Sequence, residues 1–236
     1  MTRIKLWTSV IFIAIYVVLA NAGAMLTERI GTAFSGQIFF LFGFSVFMLT
    51  YIKKRELMNT VGLAKVGFTE IKRCLFYIPL VLIALANGAF FFDSTNNIQE
   101  IVLTVIFMLF VAFLEELLVR GLLFKSIEES QSTKAAVLIS GAAFGLGHII
   151  NLLNGYTGVQ QIIQIVLAFP IAIVLALLFV RTKSIVPGIV FHFVFNIASA
   201  LSIQVEPLYD YIAVGIILLI ALAYMVYLIN VKVKKE

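Results

Sequence analysis

Polar residues punctuate this chain instead of alternating with apolar ones. Long apolar blocks lie near residues 6–26, 34–52, 74–92, 100–124, 135–153, 160–180, 184–204 and 209–231. Each is close to the roughly 20 residues that a helix needs to cross a hydrocarbon core. Barrel strands are shorter and alternate apolar with polar side chains, so the continuous runs argue against a barrel. The pattern predicts an all-α fold, a polytopic transmembrane helical bundle of about eight spans. The first block follows Arg3 and Lys5 as a signal peptide would. Its run exceeds the roughly 7–15 residues of a signal core and lacks a convincing cleavage site, so it reads as a retained span.

Composition agrees with that picture. Hydrophobic residues make up 62% of the chain and charged residues 12%, with a mean hydropathy of +1.11, well beyond a water-soluble domain. The single cysteine, Cys74, excludes an intramolecular disulfide and reads as a packed thiol.

The charges then set the topology. With the N-terminus inside, fifteen of the seventeen Lys and Arg residues fall on the cytoplasmic face, as retained basic loops require. Arg29 lands opposite and Arg120 lies within a span. The reading is of a multi-pass integral membrane protein with both termini cytoplasmic, its positive charge facing an anionic leaflet of the lipid bilayer. No basic run is interleaved with aromatics, so no nucleic acid is expected as a partner. The polar stretch Lys53 to Arg73 reads as a connector with a short interfacial helix, and Gly141 with Gly145 as a pair that admits a neighbouring helix closely.

Charges inside hydrocarbon cost about 2.5–3.5 kcal/mol each on insertion scales, so a span that carries several faces the bundle interior or water. The fourth block carries Glu115, Glu116 and Arg120. Adjacent helical residues diverge by about 100°, so the two carboxylates point apart. Glu116 and Arg120, four apart with the acid first, have the favourable order for a helical ion pair. Glu115 is left without that partner and suits a general base or a proton carrier. The alternative for Glu116 and Arg120 is a neutralised pair that locks helices together.

Both histidines fall within spans: His148 closes Phe144-Gly145-Leu146-Gly147-His148, and His192 precedes Asn196 by four residues on one helix face. Each also has a plain packing reading, in which the ring or the polar strip bonds a neighbouring helix. Their joint occurrence with the glutamates favours one shared cavity. Counted from the cytoplasmic ends, Glu115 lies about 14 Å deep, His192 about 12 Å and Asn196 about 18 Å. His148 comes out nearer 20 Å, so the fifth span has to tilt or begin later for the site to close.

Together the three segments resemble the signature of the CPBP family, the CAAX proteases and bacteriocin-processing enzymes also called the Abi family. Its motifs Glu-Glu-x-x-x-Arg, Phe-x-x-x-His and His-x-x-x-Asn are matched by Glu115, Glu116 and Arg120, by Phe144 and His148, and by His192 and Asn196. The resemblance implies a catalytic core over 100–204, accessory helices over 1–99, and a last span with a basic tail over 205–236. It implies an intramembrane endopeptidase acting near the cytoplasmic face on a membrane-associated peptide or protein substrate. Glu115 with His148 would activate a water, Glu116 and Arg120 would shape the site with Phe144, and His192 with Asn196 would steady the oxyanion. The family is often described as a metalloprotease, and Glu115, His148 and His192 are the set that would hold zinc. A glutamate-dependent mechanism needs the same residues, and no obligatory cofactor is expected.

Two other classes remain. A proton-coupled transporter would use the same ionisable residues as a relay, but Pro79, Pro170 and Pro187 are scattered and no inverted repeat is evident. A non-catalytic scaffold would not need intact motifs.

Overall fold

The described residues fold as helices packed around two large apolar cores and a small third cluster of Val119, Phe144, Ala168 and Ala172. The computed structural model describes residues 4–89, 93, 95, 97–149, 158–203 and 207–231. Arg3, Glu206, most of the uncharged loop between Asn151 and Gln160, and the basic tail at Lys232, Lys234 and Lys235 lie outside the described residues. The helices are α1 (Leu6–Ile30), α2 (Ser35–Lys54), α3 (Phe68–Arg73), α4 (Ile78–Ala84) and α5 (Ile98–Glu116), followed by α6 (Lys125–Ser130), α7 (Thr133–Gly147), α8 (Val159–Thr182), α9 (Val186–Ala200) and α10 (Pro207–Asn230). No strand occurs among the described residues. The short α3 falls inside the polar connector.

Every apolar block carries a helix among its described residues, but the helices are not all of spanning length. Five are long and apolar enough to cross a membrane: Leu6–Ile30, Ser35–Lys54, Ile98–Ser130, Gln161–Thr182 and Leu208–Asn230. Leu75–Gly88, Thr133–Gly147 and Val186–Ala200 are shorter. The third block breaks because Pro79 sits in the first turn of α4 and because Gly88, at φ 106°, turns the chain at its far end. Large apolar side chains such as Val18, Phe39 and Leu219 stand on the outer faces, 65%, 67% and 70% exposed. That surface suits an integral membrane protein in contact with lipid.

The fourth block differs most from its expected limits. It does not stop at residue 124. A wide π-helical stretch, Leu117–Phe124, continues α5 into α6, so one helical rod runs from Ile98 to Ser130. Charged residues end the apolar run at Lys125, but Lys and Glu are good helix formers, so the helix continues past the apolar boundary. Ser132 then caps α7, its side chain accepting from the Ala135 amide at 3.1 Å.

Packing places α5 between α2 and α9, with α1 against α2 and against the π-helical stretch, and α8 between α7 and α10. Leu41, Met48 and Ile52 of α2 meet Leu114, Leu117 and Leu118 in one core. Leu80 and Ile83 meet Val174, Leu178, Ile217 and Tyr224 in the other, which also buries Cys74. The connector fixes the start of α9: the Ile185 amide donates to the Gly62 carbonyl at 2.9 Å, and the Ser184 hydroxyl to the Ala64 carbonyl at 2.5 Å. Gly62 has φ 79° and its Cα lies against the Phe179 ring, where a side chain would clash. These contacts set the register in which α9 presents its polar residues.

Candidate active site

Glu115 and Glu116 close α5, and the wide turn that follows carries Arg120. Such π-helical insertions are frequent at functional sites because they re-aim side chains without breaking the rod. Arg120 Nη1 donates to Glu116 Oε1 at 2.9 Å, with both side chains only 1% exposed. Arg120 Nη2 also donates to the Ala172 carbonyl of α8 at 3.2 Å. Its guanidinium lies over the Phe144 ring, 4.5 Å from the centroid. The expected i, i+4 pair is therefore formed, and it joins three helices.

His192, buried on α9, faces both carboxylates. Its Nε2 is 3.6 Å from Glu115 Oε2 and its Nδ1 is 3.5 Å from Glu116 Oε1. These separations exceed a directed hydrogen bond and would tighten to one with a small shift of the ring. The close approach of α9 depends on Gly188, one turn before His192. A Cβ built there would stand 2.7 Å from Glu116 Oε2.

Phe144 of α7 is the apolar hub. Its ring meets His148 edge-on at 5.0 Å and His192 edge-on at 5.7 Å between centroids, while its face receives Arg120. Both imidazoles therefore stand against one ring. His148 Nδ1 lies 3.0 Å from the Phe144 carbonyl. A carbonyl only accepts, so Nδ1 carries the hydrogen and Nε2 of the neutral ring keeps its lone pair. Gln161 of α8 donates to the His148 carbonyl at 2.8 Å and ties the end of α7 in place.

The rod of α5 and α6 also removes the depth difference expected for His148. Glu115 lies fifteen residues before Ser130, and His148 fifteen residues after Thr133, so the two match in residue count about the turn that joins them. No later start of α7 is needed.

Four features were not read from the sequence. The imidazole nearest Glu115 is His192, and no ion pair or hydrogen bond joins Glu115 to His148 among the described residues. Asn196 is half-buried one turn beyond His192, without a hydrogen-bond partner among the described residues. Tyr16 of α1, which sequence reasoning missed, donates its hydroxyl to Glu115 Oε1 at 2.7 Å. Gly188 was missed as well. The signals were a phenol in an apolar span and a glycine one turn before a membrane histidine, neither of which names its partner.

Among the described residues, no three His, Cys, Asp or Glu side chains converge as a metal-ion site. Glu115, His148 and His192 as arranged do not form the set expected for zinc.

Comparison with curated proteins and with solved structures gives no match. A family model does match, described as Rce1-like, type II CAAX prenyl endopeptidase Rce1-like, and it covers residues 97–198. That segment holds all seven motif residues, so the resemblance of this chain to the CAAX protease and bacteriocin-processing family, read from the motifs, holds over the part that builds the site.

Proposed function

We propose that the chain is an intramembrane endopeptidase that hydrolyses a peptide bond near the cytoplasmic face, on CAAX-type or peptide-precursor substrates. The observation that carries this reading is the pair of carboxylates, Glu115 and Glu116, set against the two nitrogens of one imidazole from another helix. A buried ion pair alone would not need the second carboxylate. The match to an endopeptidase family over the same segment supports it.

In this reading Glu115 takes a proton from a water as its oxygen attacks the scissile carbonyl. His192 and Asn196 donate to the oxyanion that forms, and the carbon–nitrogen bond then breaks as the proton passes to the leaving amine. His148 Nε2, with its lone pair free, assists in orienting the water. The Glu116–Arg120 pair and the Phe144 ring hold His192 in place. No resident metal is required by these steps, since the carboxylate supplies the base.

The three shorter helices cross the bilayer with their neighbours to make eight spans, with both termini cytoplasmic. Fifteen residues of helix rise about 22 Å, short of a core of about 30 Å, and irregular ends are tolerated at that depth where protein buries them. Residues 100–204 form the catalytic core, and 205–236 a last span with a tail. Substrate would reach the site from the bilayer as a membrane-associated peptide.

The test is mass spectrometry of membrane peptides from cells with wild-type protein, with Glu115→Gln and with His148→Ala. Processed fragments present only with the wild type support the reading. Identical peptides in all three overturn it, and uptake into proteoliposomes that depends on Glu115 without any cleavage would assign a transporter instead.

A further inference from the structure

Glu115 is held from outside the segment that carries the motifs. Its Oε1 accepts the Tyr16 hydroxyl at 2.7 Å, a contact between residues 99 apart in sequence, while its Oε2 faces His192 at 3.6 Å. The carboxylate is thus fixed at one oxygen by a donor on α1 and open at the other. Its side chain is 21% exposed, unlike the sealed Glu116 at 1%. A flexible carboxylate with one tethered oxygen has its plane and its free lone pairs set by the tether.

We propose that Tyr16 is a positioning residue for the reaction: its hydroxyl orients the Glu115 carboxylate so that Oε2 is presented to water beside His192. This rests on the reading of Glu115 as the water-activating base, and it makes α1 part of the working site instead of an accessory helix. The packing around Tyr16 is suited to the task. Helix α1 lies against α2 and against the π-helical stretch that follows Glu116, so its register relative to Glu115 is fixed from two sides. Phe12, one turn earlier, is buried edge-on against Tyr51 at 5.1 Å and Phe47 at 6.0 Å, which pins the same face of α1. The charge is also right: a phenol donates to a carboxylate without neutralising it, so the base is oriented and remains a base. A lysine or arginine at this place would form an ion pair and weaken it as a base.

The residue acts through geometry, so its loss should lower kcat and leave KM nearly unchanged. A hydrogen bond to a charged group corresponds to about a 10- to 100-fold effect.

Tyr16→Phe keeps the ring and its packing and removes only the hydroxyl. In full-length protein reconstituted in bilayers, with a farnesylated CAAX peptide as the probe, the expected result is a kcat reduced about 10-fold or more with KM within about twofold. Tyr16→Phe added to Glu115→Gln should cost nothing further, because the two act as one unit. A second readout does not need turnover. In infrared difference spectra, Glu115→Gln removes one carboxylate band, and Tyr16→Phe should shift that same band in otherwise wild-type protein. If the band does not move, the positioning role is overturned, whatever the peptide result. If kcat is unchanged while wild type cleaves the peptide, it is overturned as well. If the band shifts but wild type cleaves no peptide, the hydrogen bond stands and the peptidase reading fails, and with it the role in catalysis.

Discussion

Arg120 and Glu116 form an ion pair that almost no water reaches, and the arginine spends its other contacts on two different helices. One arm bonds Glu116 at 2.9 Å, the other bonds the Ala172 carbonyl at 3.2 Å, and the plane lies over Phe144 at 4.5 Å. Lysine offers a point charge and cannot make all three contacts. Arg120→Lys is therefore expected to lower cleavage at least about 10-fold while the protein still inserts. Arg120→Ala strands the Glu116 charge and should destabilise the fold by about 3–5 kcal/mol. Thermal unfolding in detergent, beside a cleavage assay, separates the two effects.

Gly188 tests how closely α9 has to approach α5. Alanine there would place a methyl 2.7 Å from Oε2 of Glu116, whose other oxygen, Oε1, is held by Arg120. Gly188→Ala should reduce turnover at least about 10-fold by displacing Glu116 or His192. Gly215 in α10 has nothing within 4 Å of such a methyl. Gly215→Ala should keep full activity and raise stability by up to about 1 kcal/mol, the helix-propensity difference. Parallel melting and cleavage curves would show the contrast.

The Phe144 ring joins Arg120 to both imidazoles. Phe144→Leu fills a similar volume without the π face, so the arginine loses a desolvated cation–π contact of about 2 kcal/mol. The expected outcome is a folded protein with lower melting temperature and reduced kcat. If Arg120→Lys is already present, Phe144→Leu should cost less than it does alone, which a double-mutant cycle measures.

How much of this could be read before the structure depends on the range of the interaction. Apolar runs of about 20 residues located a helix at every one of the eight blocks, because hydrocarbon leaves the backbone no other internal partner. The Glu116–Arg120 pair followed from spacing of four on a helix. Helix ends were harder. Lys125 ends the apolar run of the fourth block while the helix continues to Ser130, and this displaced the expected depth of Glu115 relative to His148. Pro79 and Gly88 break the third block although its composition is almost wholly apolar. The contacts of Tyr16 with Glu115 and of Gly188 with Glu116 join distant parts of the chain, and a single sequence carries no mark of which residues those are.

Metal dependence separates two mechanisms that use the same side chains. A base supplied by Glu115 predicts that exhaustive treatment with a strong chelator leaves the cleavage rate within about twofold. Added zinc should not restore activity to Glu115→Gln. A rate lost on chelation and recovered with one equivalent of metal would assign the water activation to the metal.

The most direct measurement is the rate of peptide cleavage by purified Glu115→Gln protein, in bilayers, relative to wild type. Glutamine keeps the shape and still accepts the Tyr16 hydroxyl but cannot take a proton from water. The expected result is a loss of at least about 100-fold, the usual contribution of a general base, in a protein with unchanged melting behaviour. Cleavage at the wild-type rate by that variant would contradict it.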